Sequence, residues 1–344
     1  MEKLNLHITG IPCLIEVQNT PGSDQLLDEL KLYPLTDQEP EVVFSYLTYD
    51  EFIRLHEANE GAYLVYTFKN SKVALSTEKK PAQAFFCIVP HKNLLFKLMQ
   101  KLTSNQYTIR EEYVGQIFHE NVIIPLLSRM DDILLIHGAA FNLNEKTILI
   151  GGRGGVGKTS IALRACFHKS GSFITDDMAI IRAHCIYPNL NLPKIYQYNL
   201  VGEPQLQKRL MGSFSILRKI HWLLYSPLFR KPPRIRVRPD RIFDVGKASK
   251  IDIYFIIERT NQINLFEYQK LNSTEAAGIS AVIMQEELGQ FKLEDHFSER
   301  YVTQFKAQLS KTEIYLVKVS DTMSHQKYLN HMESLILRLT KTKD

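Results

Sequence analysis

The chain has 344 residues, 44% of them hydrophobic and 23% charged, with a formal net charge of +5. This composition indicates an ordinary globular protein with room for two domains and excludes a low-complexity chain. The small positive charge gives no reason to expect nucleic-acid binding.

Other features of the composition indicate the compartment. The four cysteines are far apart and form no C-x-x-C pair, so we predict neither a zinc site nor a disulfide framework. No apolar run approaches the ~18 residues that a membrane span requires. The first residues also lack the apolar core of a signal peptide. We therefore expect a cytoplasmic protein with no membrane or nucleic-acid partner.

The N-terminal third has the pattern of an α+β domain. Short runs rich in Val, Ile, Tyr, Phe and Thr, bounded by polar turns, predict strands. Segments 48–59 and 91–105 have the apolar spacing of helices. Residues 1–115 show no catalytic constellation, so we predict a scaffold or substrate-recognition domain there and a second domain over 116–344. The predicted strands are 12–20, 41–48, 61–70, 72–77 and 84–89.

The second half has the alternation of strands and helices expected of an α/β fold. A helix is predicted over 113–130. Apolar runs on both sides of a polar turn at 142–146 predict a β-hairpin, whose second strand leads into a glycine-rich loop. Residues 158–171 then predict a helix, and residues 172–181 the strand after it. Later segments predict strands at 250–260 and 312–320, and amphipathic helices at 274–288, 298–311 and 324–341.

The glycine-rich loop, G-R-G-G-V-G-K-T at 152–159, matches the phosphate-binding pattern G-x-x-x-x-G-K-[ST]. Glycines let backbone N–H groups point at phosphate oxygens without obstruction by side chains. Lys158 can reach the β- and γ-phosphates, and the Thr159 hydroxyl can bind Mg²⁺. Arg153 either contacts phosphate or is solvated. A nucleoside triphosphate and Mg²⁺ are the predicted ligands, held by Gly152, Arg153, Gly154, Gly155, Val156, Gly157, Lys158, Thr159 and Ser160.

Asp176 and Asp177 are the acids expected beside this loop. They lie at the end of the strand that follows the loop's helix, and strand ends of an α/β sheet face the ligand crevice. One carboxylate can bind Mg²⁺, directly or through water, and the other can accept the proton of an attacking hydroxyl. The alternative is an Asp-rich turn or a helix cap. Glu203 is a further predicted metal ligand.

Features that mark other phosphate-loop proteins are missing from the sequence. It contains no N-K-x-D segment of the kind that reads guanine in switch GTPases. It also has no L-S-G-G-Q-like transporter signature between the loop and the acidic pair. Many hydrolytic ATPases place a Glu after the strand-end Asp to activate water, but Met178 follows Asp177 here. These differences favour phosphoryl transfer to a substrate hydroxyl over hydrolysis.

Residues 134–181, LLIHGAAFNLNEKTILIGGRGGVGKTSIALRACFHKSGSFITDDMAII, resemble the catalytic core of the HPr kinase/phosphorylase family. That family has a His-Gly pair in a hairpin before the phosphate loop and a doubled Asp after it. The resemblance implies a P-loop core related to that of phosphoenolpyruvate carboxykinase and ATP-dependent phosphorylation of a protein serine. It makes His137 an active-site histidine near the transferred phosphate. It also makes Asp176 the acid/base residue, with Asp177 supporting the metal or the geometry.

The chain departs from that family after the acidic pair. The E-I-R-G-x-G signature linked to phosphorolysis is missing, and segments 188–205 and 229–246 stand in its place. Residues 238–259 resemble divergent HPr-kinase-like proteins, including lasso-peptide kinases that phosphorylate a precursor-peptide serine. The resemblance implies a one-way kinase whose partner is a serine-bearing peptide or protein, with a ribosomally made precursor peptide as the expected substrate.

Three points stay open from the sequence. The chain could instead phosphorylate a small molecule, such as free serine or a sugar, or act as a non-catalytic ATP-sensing regulator. Whether it forms a homo-oligomer is also open. The basic stretch 229–241 either binds phosphate or a peptide carboxylate, through Arg236 or Arg238, or forms an edge strand with a solvated charged face. Its basic residues are Arg230, Lys231, Arg234, Arg236, Arg238 and Arg241.

Overall fold

Two units of mixed α/β structure make up the described part of the chain. Unit 1 comprises Met1–Met130 and Ile216–Arg236, and unit 2 comprises Asp131–Ser215 and Val237–Asp344. Each contains β-sheet and helices, which confirms the predicted α/β class at this level. The computed structural model describes residues 1–59, 61–68, 70–89, 106–107, 113–212, 214, 216–229, 233–262, 265–291, 293 and 295–341.

Unit 1 is built on a six-stranded sheet in the order β1-β2-β3-β6-β5-β4. The first two strands form a hairpin whose turn residues, Thr9 and Gly10, have φ of 49° and 86°. Positive φ at both positions matches the right-handed twist of the paired strands. The five predicted strands are confirmed, and β1 was missed. The strands are β1 Glu2–Ile8, β2 Ile11–Val17, β3 Val42–Tyr46, β4 Leu64–Thr67, β5 Ser71–Ser76 and β6 Ala82–Ile88.

One helix of unit 1 begins at a residue whose side chain caps it. The helix predicted at 48–59 is confirmed, and the Thr48 hydroxyl accepts a hydrogen bond from the Glu51 backbone N–H at its start. The helix predicted at 91–105 lies outside the described residues. A short parallel pair joins β7 Gln106–Tyr107 to β14 Arg234–Arg236. The helices are α1 Ser23–Leu30, α2 Tyr49–Ala58, α3 Tyr113–Ile117, a π-helical segment Phe118–Ile123, α4 Ile124–Leu127 and α7 Ile216–Phe229.

The division between the units differs from the boundary predicted between residues 115 and 116. Residues 116–130 belong to unit 1, because their helix packs on the sheet there. Phe118 meets Phe44 edge-on with 5.1 Å between ring centroids, and it stacks against Phe86 at 5.5 Å. Residues 216–236 also belong to unit 1. The roles assigned to the two domains stay predictions.

Unit 2 is built on a mixed sheet in the order β15-β12-β11-β8-β9-β16-β18-β17, with β10 also paired to β8. The central strands β9, β16 and β18 run parallel and are largely buried, as expected for parallel strands covered on both faces. The predicted strands at 250–260 and 312–320 are confirmed as β16 and β18. The strands of this sheet are β8 Ile133–Leu143, β9 Lys146–Gly152, β10 Ser172–Thr175, β11 Met178–Arg182, β12 Cys185–Ile186, β15 Ser249–Lys250, β16 Ile253–Thr260, β17 Phe266–Lys270 and β18 Glu313–Ser320. A further strand of unit 2, β13 Lys194–Tyr196, lies outside this sheet.

The predicted hairpin is formed by β8 and β9, and Asn144 and Glu145 in its turn have φ of 50° and 61°. The single strand predicted at 172–181 is wrong, because two strands, β10 and β11, lie there. Asp176 and Asp177 separate them, and Asp177 has a φ of 74°, which a continuing strand cannot accommodate. Both strands pair antiparallel with β8.

The described residues of unit 2 also form five helices and 3₁₀ turns at Gln197–Leu200 and Pro239–Arg241. The helices predicted at 158–171, 274–288, 298–311 and 324–341 are confirmed, and α6 was missed. Asn272 and Glu275 form a capping box at the start of one of them, and Ser324 caps another. The helices are α5 Lys158–His168, α6 Pro204–Met211, α8 Ser273–Glu287, α9 Phe297–Gln308 and α10 His325–Thr340.

None of the helices in the described residues has both the length and the apolar character that a membrane span requires.

Two glycines of unit 2 give opposite expectations for stability. Gly157 has a φ of 96°, and a Cβ there would lie 2.6 Å from the Tyr328 ring, so Gly157→Ala should lower the free energy of unfolding by about 1–3 kcal/mol. Gly278 lies within α8 with nothing near its absent Cβ, so Gly278→Ala should raise it by about 0.5–1 kcal/mol. Urea unfolding of both variants measures this. Equal effects of the two changes would contradict the packing described here.

Candidate functional site

The glycine-rich loop joins the end of β9 to the start of α5, in the strand–loop–helix order that the sequence predicts. A Cβ at Gly152 would lie 2.6 Å from the Ile257 carbonyl oxygen, so only glycine fits where the loop leaves the sheet. At Gly154 and Gly155 a Cβ would meet nothing within 4 Å. The outer side of the loop therefore leaves open space beside its backbone.

Lys158, the first residue of α5, is buried beneath this loop. Its Nζ donates to the carbonyl oxygens of Gly152 at 2.8 Å and Arg153 at 2.9 Å, which tie the amine to the loop. Burial lowers the pKa of Lys158 to about 8, although the nearby carboxylates of Asp177 and Asp176 oppose this change. The amine is a cation held inside the loop, where an anionic ligand would relieve the cost of its burial.

Asp176 brings the end of β10 to the start of α5. β9 and β10 both run antiparallel to β8, so they point the same way and end at the same edge of the sheet. There the Thr159 hydroxyl donates to Asp176 Oδ1 at 2.9 Å. Asp176 is only 5% exposed, and burial, reinforced by the charge of Asp177, raises its pKa to about 6. The half-buried hydroxyl of Thr159 and the buried carboxylate of Asp176 thus meet beside the amine of Lys158.

Asp177 faces a more open part of the same site. Its side chain is 41% exposed, and its Oδ2 accepts from Lys194 Nζ at 3.2 Å. Its backbone carbonyl accepts from the Gly138 N–H at 3.1 Å, which fixes the residue against β8. The two neighbouring acids therefore have different surroundings: Asp176 is buried on the Thr159 hydroxyl, and Asp177 is accessible to solvent.

His137 lies on β8 between two carboxylates. Its Nδ1 is 3.9 Å from Asp177 Oδ1, and its Nε2 is 3.5 Å from Glu287 Oε1. Burial, together with the charge of Lys158, lowers the pKa of His137 to about 4, so the ring is neutral at physiological pH. Glu287 is half-buried, and burial raises its pKa. The predicted histidine and acidic pair are thus brought together with the loop.

Several site residues were missed by the sequence reasoning. Glu287 ends α8, Lys194 lies on β13, and Arg259 is the next-to-last residue of β16, so none is near the loop in sequence. Arg259 donates to the carbonyl oxygens of Val156 at 3.4 Å and Ser320 at 3.1 Å. The only signal for Glu287 was its place at the end of a predicted helix, which does not reveal what that end contacts.

Two predicted residues make contacts other than those expected. Arg153 forms a two-pronged ion pair with Glu286 at 2.7 and 2.8 Å, on the surface. The Ser160 hydroxyl accepts from Asn199 Nδ2 at 2.7 Å and is buried. Arg153 is thus neither simply solvated nor, in this geometry, turned towards the inside of the loop.

Glu203 is not brought together with Thr159 and Asp177. Its carboxylate pairs with His168, at the other end of α5. Thr159 and His168 are nine positions apart on this helix, roughly 13 Å at 1.5 Å per residue. We therefore correct the assignment of Glu203 as a metal ligand. Among the described residues, no group of three or more His, Cys, Asp and Glu could hold a metal by itself.

The basic stretch does not form the solvated edge strand considered from the sequence. Arg236 lies on β14, is 1% exposed, and its guanidinium is 3.7 Å from Glu29 within unit 1. Arg238 pairs with Asp240 at 3.1 Å within unit 2. Arg230 and Lys231 lie outside the described residues. Since Arg236 is buried on a carboxylate, its proposed contact with phosphate has no support.

Comparisons with known proteins add a structural likeness. No protein-family model matches the sequence, and no curated protein matches it. Among solved structures, the chain is similar to the Hpr(Ser) kinase/phosphatase from Coxiella burnetii, with 10% sequence identity and a TM-score of 0.27. The match covers 60% of this chain and 96% of that one.

Proposed function

We propose that the chain is an ATP-dependent kinase that transfers a phosphoryl group to a serine hydroxyl of a peptide or protein. Its unit 2 would then be a P-loop kinase core of the type found in HPr kinase and phosphoenolpyruvate carboxykinase. The proposal rests mainly on one observation. The Thr159 hydroxyl donates a hydrogen bond to the buried Asp176 carboxylate, beside the amine of Lys158. A hydroxyl, a carboxylate and a cation meet there at the end of a glycine loop, as phosphoryl transfer requires.

The residues of the site fit ATP and Mg²⁺. The open space beside Gly154 and Gly155 leaves the loop backbone accessible to phosphate oxygens, and Lys158 supplies a buried positive charge. Thr159 and Asp176 offer the hard oxygen ligands that Mg²⁺ prefers, and two such protein ligands suffice because Mg²⁺ keeps waters and phosphate oxygens. When bound, ATP supplies the phosphoryl group and Mg²⁺ neutralises the charge of its phosphates.

The two aspartates would divide the remaining work. Asp176 is buried on Thr159 and would support the metal, whereas Asp177 is exposed enough to reach an acceptor hydroxyl. Asp177 would take the proton of that hydroxyl as its oxygen bonds to phosphorus, and the bond to the departing diphosphate breaks. The sequence resemblance assigned these roles the other way round, and the contacts of the two carboxylates favour this exchange.

The neutral ring of His137 would hold Asp177 in place. Its two nitrogens face the carboxylates of Asp177 and Glu287, so the ring lies between two like charges that still repel each other. Because the pKa of His137 is lowered, the ring is neutral at neutral pH. It therefore adds no positive charge that would stabilise ionised Asp177 and so weaken Asp177 as a base. The expected partner is a serine-bearing peptide, and a precursor peptide is proposed from the sequence resemblance alone.

The proposal is tested by following label from γ-labelled ATP into peptides, free serine and sugars. Lys158→Ala should reduce transfer by about 10²–10³-fold, because the charge on the transferred phosphoryl group is no longer stabilised. Lys306→Ala, a surface change on α9, should leave transfer unchanged. Label on free serine or sugar alone would favour a small-molecule kinase. Tight ATP binding with no labelled acceptor would favour a regulator and contradict the proposal.

The division between the aspartates is tested by their asparagine variants. Asp177→Asn should leave the Kd for Mg²⁺–ATP within about twofold and reduce transfer by about 10²–10⁴-fold, as expected for loss of a general base. Asp176→Asn should raise the Mg²⁺ concentration needed for half-maximal ATP binding by about tenfold or more. Calorimetry and label transfer measure the two effects. A Mg²⁺ effect confined to Asp177→Asn would reverse the assignment.

A further inference from the structure

A pair of stacked tyrosines lies at the end of β13 and in the 3₁₀ turn that follows it. The rings of Tyr196 and Tyr198 are 5.1 Å apart and 11° from parallel. Tyr198 is 45% exposed, and Val201, one 3₁₀ turn later, is 61% exposed. We call Tyr196, Tyr198 and Val201 the tyrosine wall. Val201 is tied to the pair through its backbone N–H, which donates to the Tyr198 carbonyl oxygen at 3.3 Å. Exposed apolar groups beside a reactive site offer a surface for a ligand.

The tyrosine wall is tied to the candidate active site at two points. Lys194, two residues before Tyr196 on the same strand, donates to Asp177 at 3.2 Å. The buried amide of Asn199 forms the second tie, since its oxygen accepts from the Tyr196 backbone N–H at 2.8 Å. Its nitrogen donates to Ser160 in the first turn of α5 at 2.7 Å. The wall is therefore held in a fixed place relative to both acids and the loop helix.

The tyrosine wall borders the acidic end of the candidate site. This position determines which ligand the wall would contact. Lys194 joins it to Asp177, the acid facing the acceptor in the proposed function. Burial raises the pKa of Tyr198 to about 12, and the charges of Tyr196 and Asp176 add to this effect, so Tyr198 lies within electrostatic reach of Asp176. In a phosphate loop, the acids mark the end where the phosphoryl group leaves. The adenine base lies at the opposite end of the triphosphate.

We propose that the tyrosine wall binds the acceptor, by packing against an apolar or aromatic residue that flanks the phosphorylated serine. This inference rests on the proposed kinase function and narrows its substrate to a peptide or protein segment. An exposed tyrosine offers a rigid apolar face with a polar tip, which suits contact with apolar and aromatic side chains. Free serine has no flanking residue, so the wall would give it no added affinity.

The test uses the full chain, γ-labelled ATP and a peptide library with a fixed central serine and varied neighbours. Tyr198→Ala should raise the KM for the preferred serine peptide by about tenfold, the scale expected for loss of one aromatic contact. The KM for ATP should not change. Tyr198→Phe should behave like the wild type, because the ring remains. Tyr268→Ala removes a tyrosine of similar exposure (42%) on β17 and serves as the matched control, with no effect expected.

Each outcome has one meaning. A wild-type preference for an apolar neighbour of serine that is lost in Tyr198→Ala supports the proposal. An unchanged peptide KM in that variant overturns it while leaving the kinase function intact. A raised KM for ATP assigns the wall to the nucleotide and also overturns it. If the wild type labels no peptide, the proposed function fails, and the inference that rests on it fails as well.

Discussion

The hydrogen bond from Thr159 to Asp176 is the contact on which the arrangement of the site depends. It joins the first turn of α5 to the end of β10, and so fixes the glycine loop against the acidic pair. The same contact keeps a carboxylate in a position that is only 5% exposed. Burial of an ionised acid is unfavourable unless charges and donors compensate it, and here Thr159 and Lys158 do so in part.

The order of the strands explains how residues far apart in sequence reach this point. β8 lies between β9 and the strands β10 and β11, and it runs opposite to all of them. The loop and the acidic pair therefore emerge at one edge, with His137 of β8 between them. The left-handed backbone of Asp177 ends β10 and starts β11, and it turns the two acids into different surroundings. One sheet edge thus presents a cation, a neutral ring and two unlike carboxylates.

Local features of the site could be predicted from the sequence, whereas long-range ones could not. The hairpin, the loop and α5 follow from turn residues, glycines and apolar spacing within a few positions of each other. The break at Asp177 does not, because a run of apolar residues on both sides reads as one strand. Glu287, Lys194 and Asn199 reach the site only through tertiary packing. Glu203 has the right chemistry for a metal ligand, but its neighbour in the fold is His168.

The central claim is that Asp176 is kept as a buried acid at a cost to stability. Its pKa is about 6 in the folded chain against 3.8 for an ordinary Asp, so its ionisation opposes folding, and this loss of stability begins above about pH 4 and is complete above about pH 6. Urea unfolding from about pH 4 to about pH 8 should show Asp176→Asn gaining up to roughly 3 kcal/mol over the wild type at the alkaline end. The surface variant Asp321→Asn should show no such gain. An Asp176→Asn variant less stable than the wild type at every pH would contradict the account.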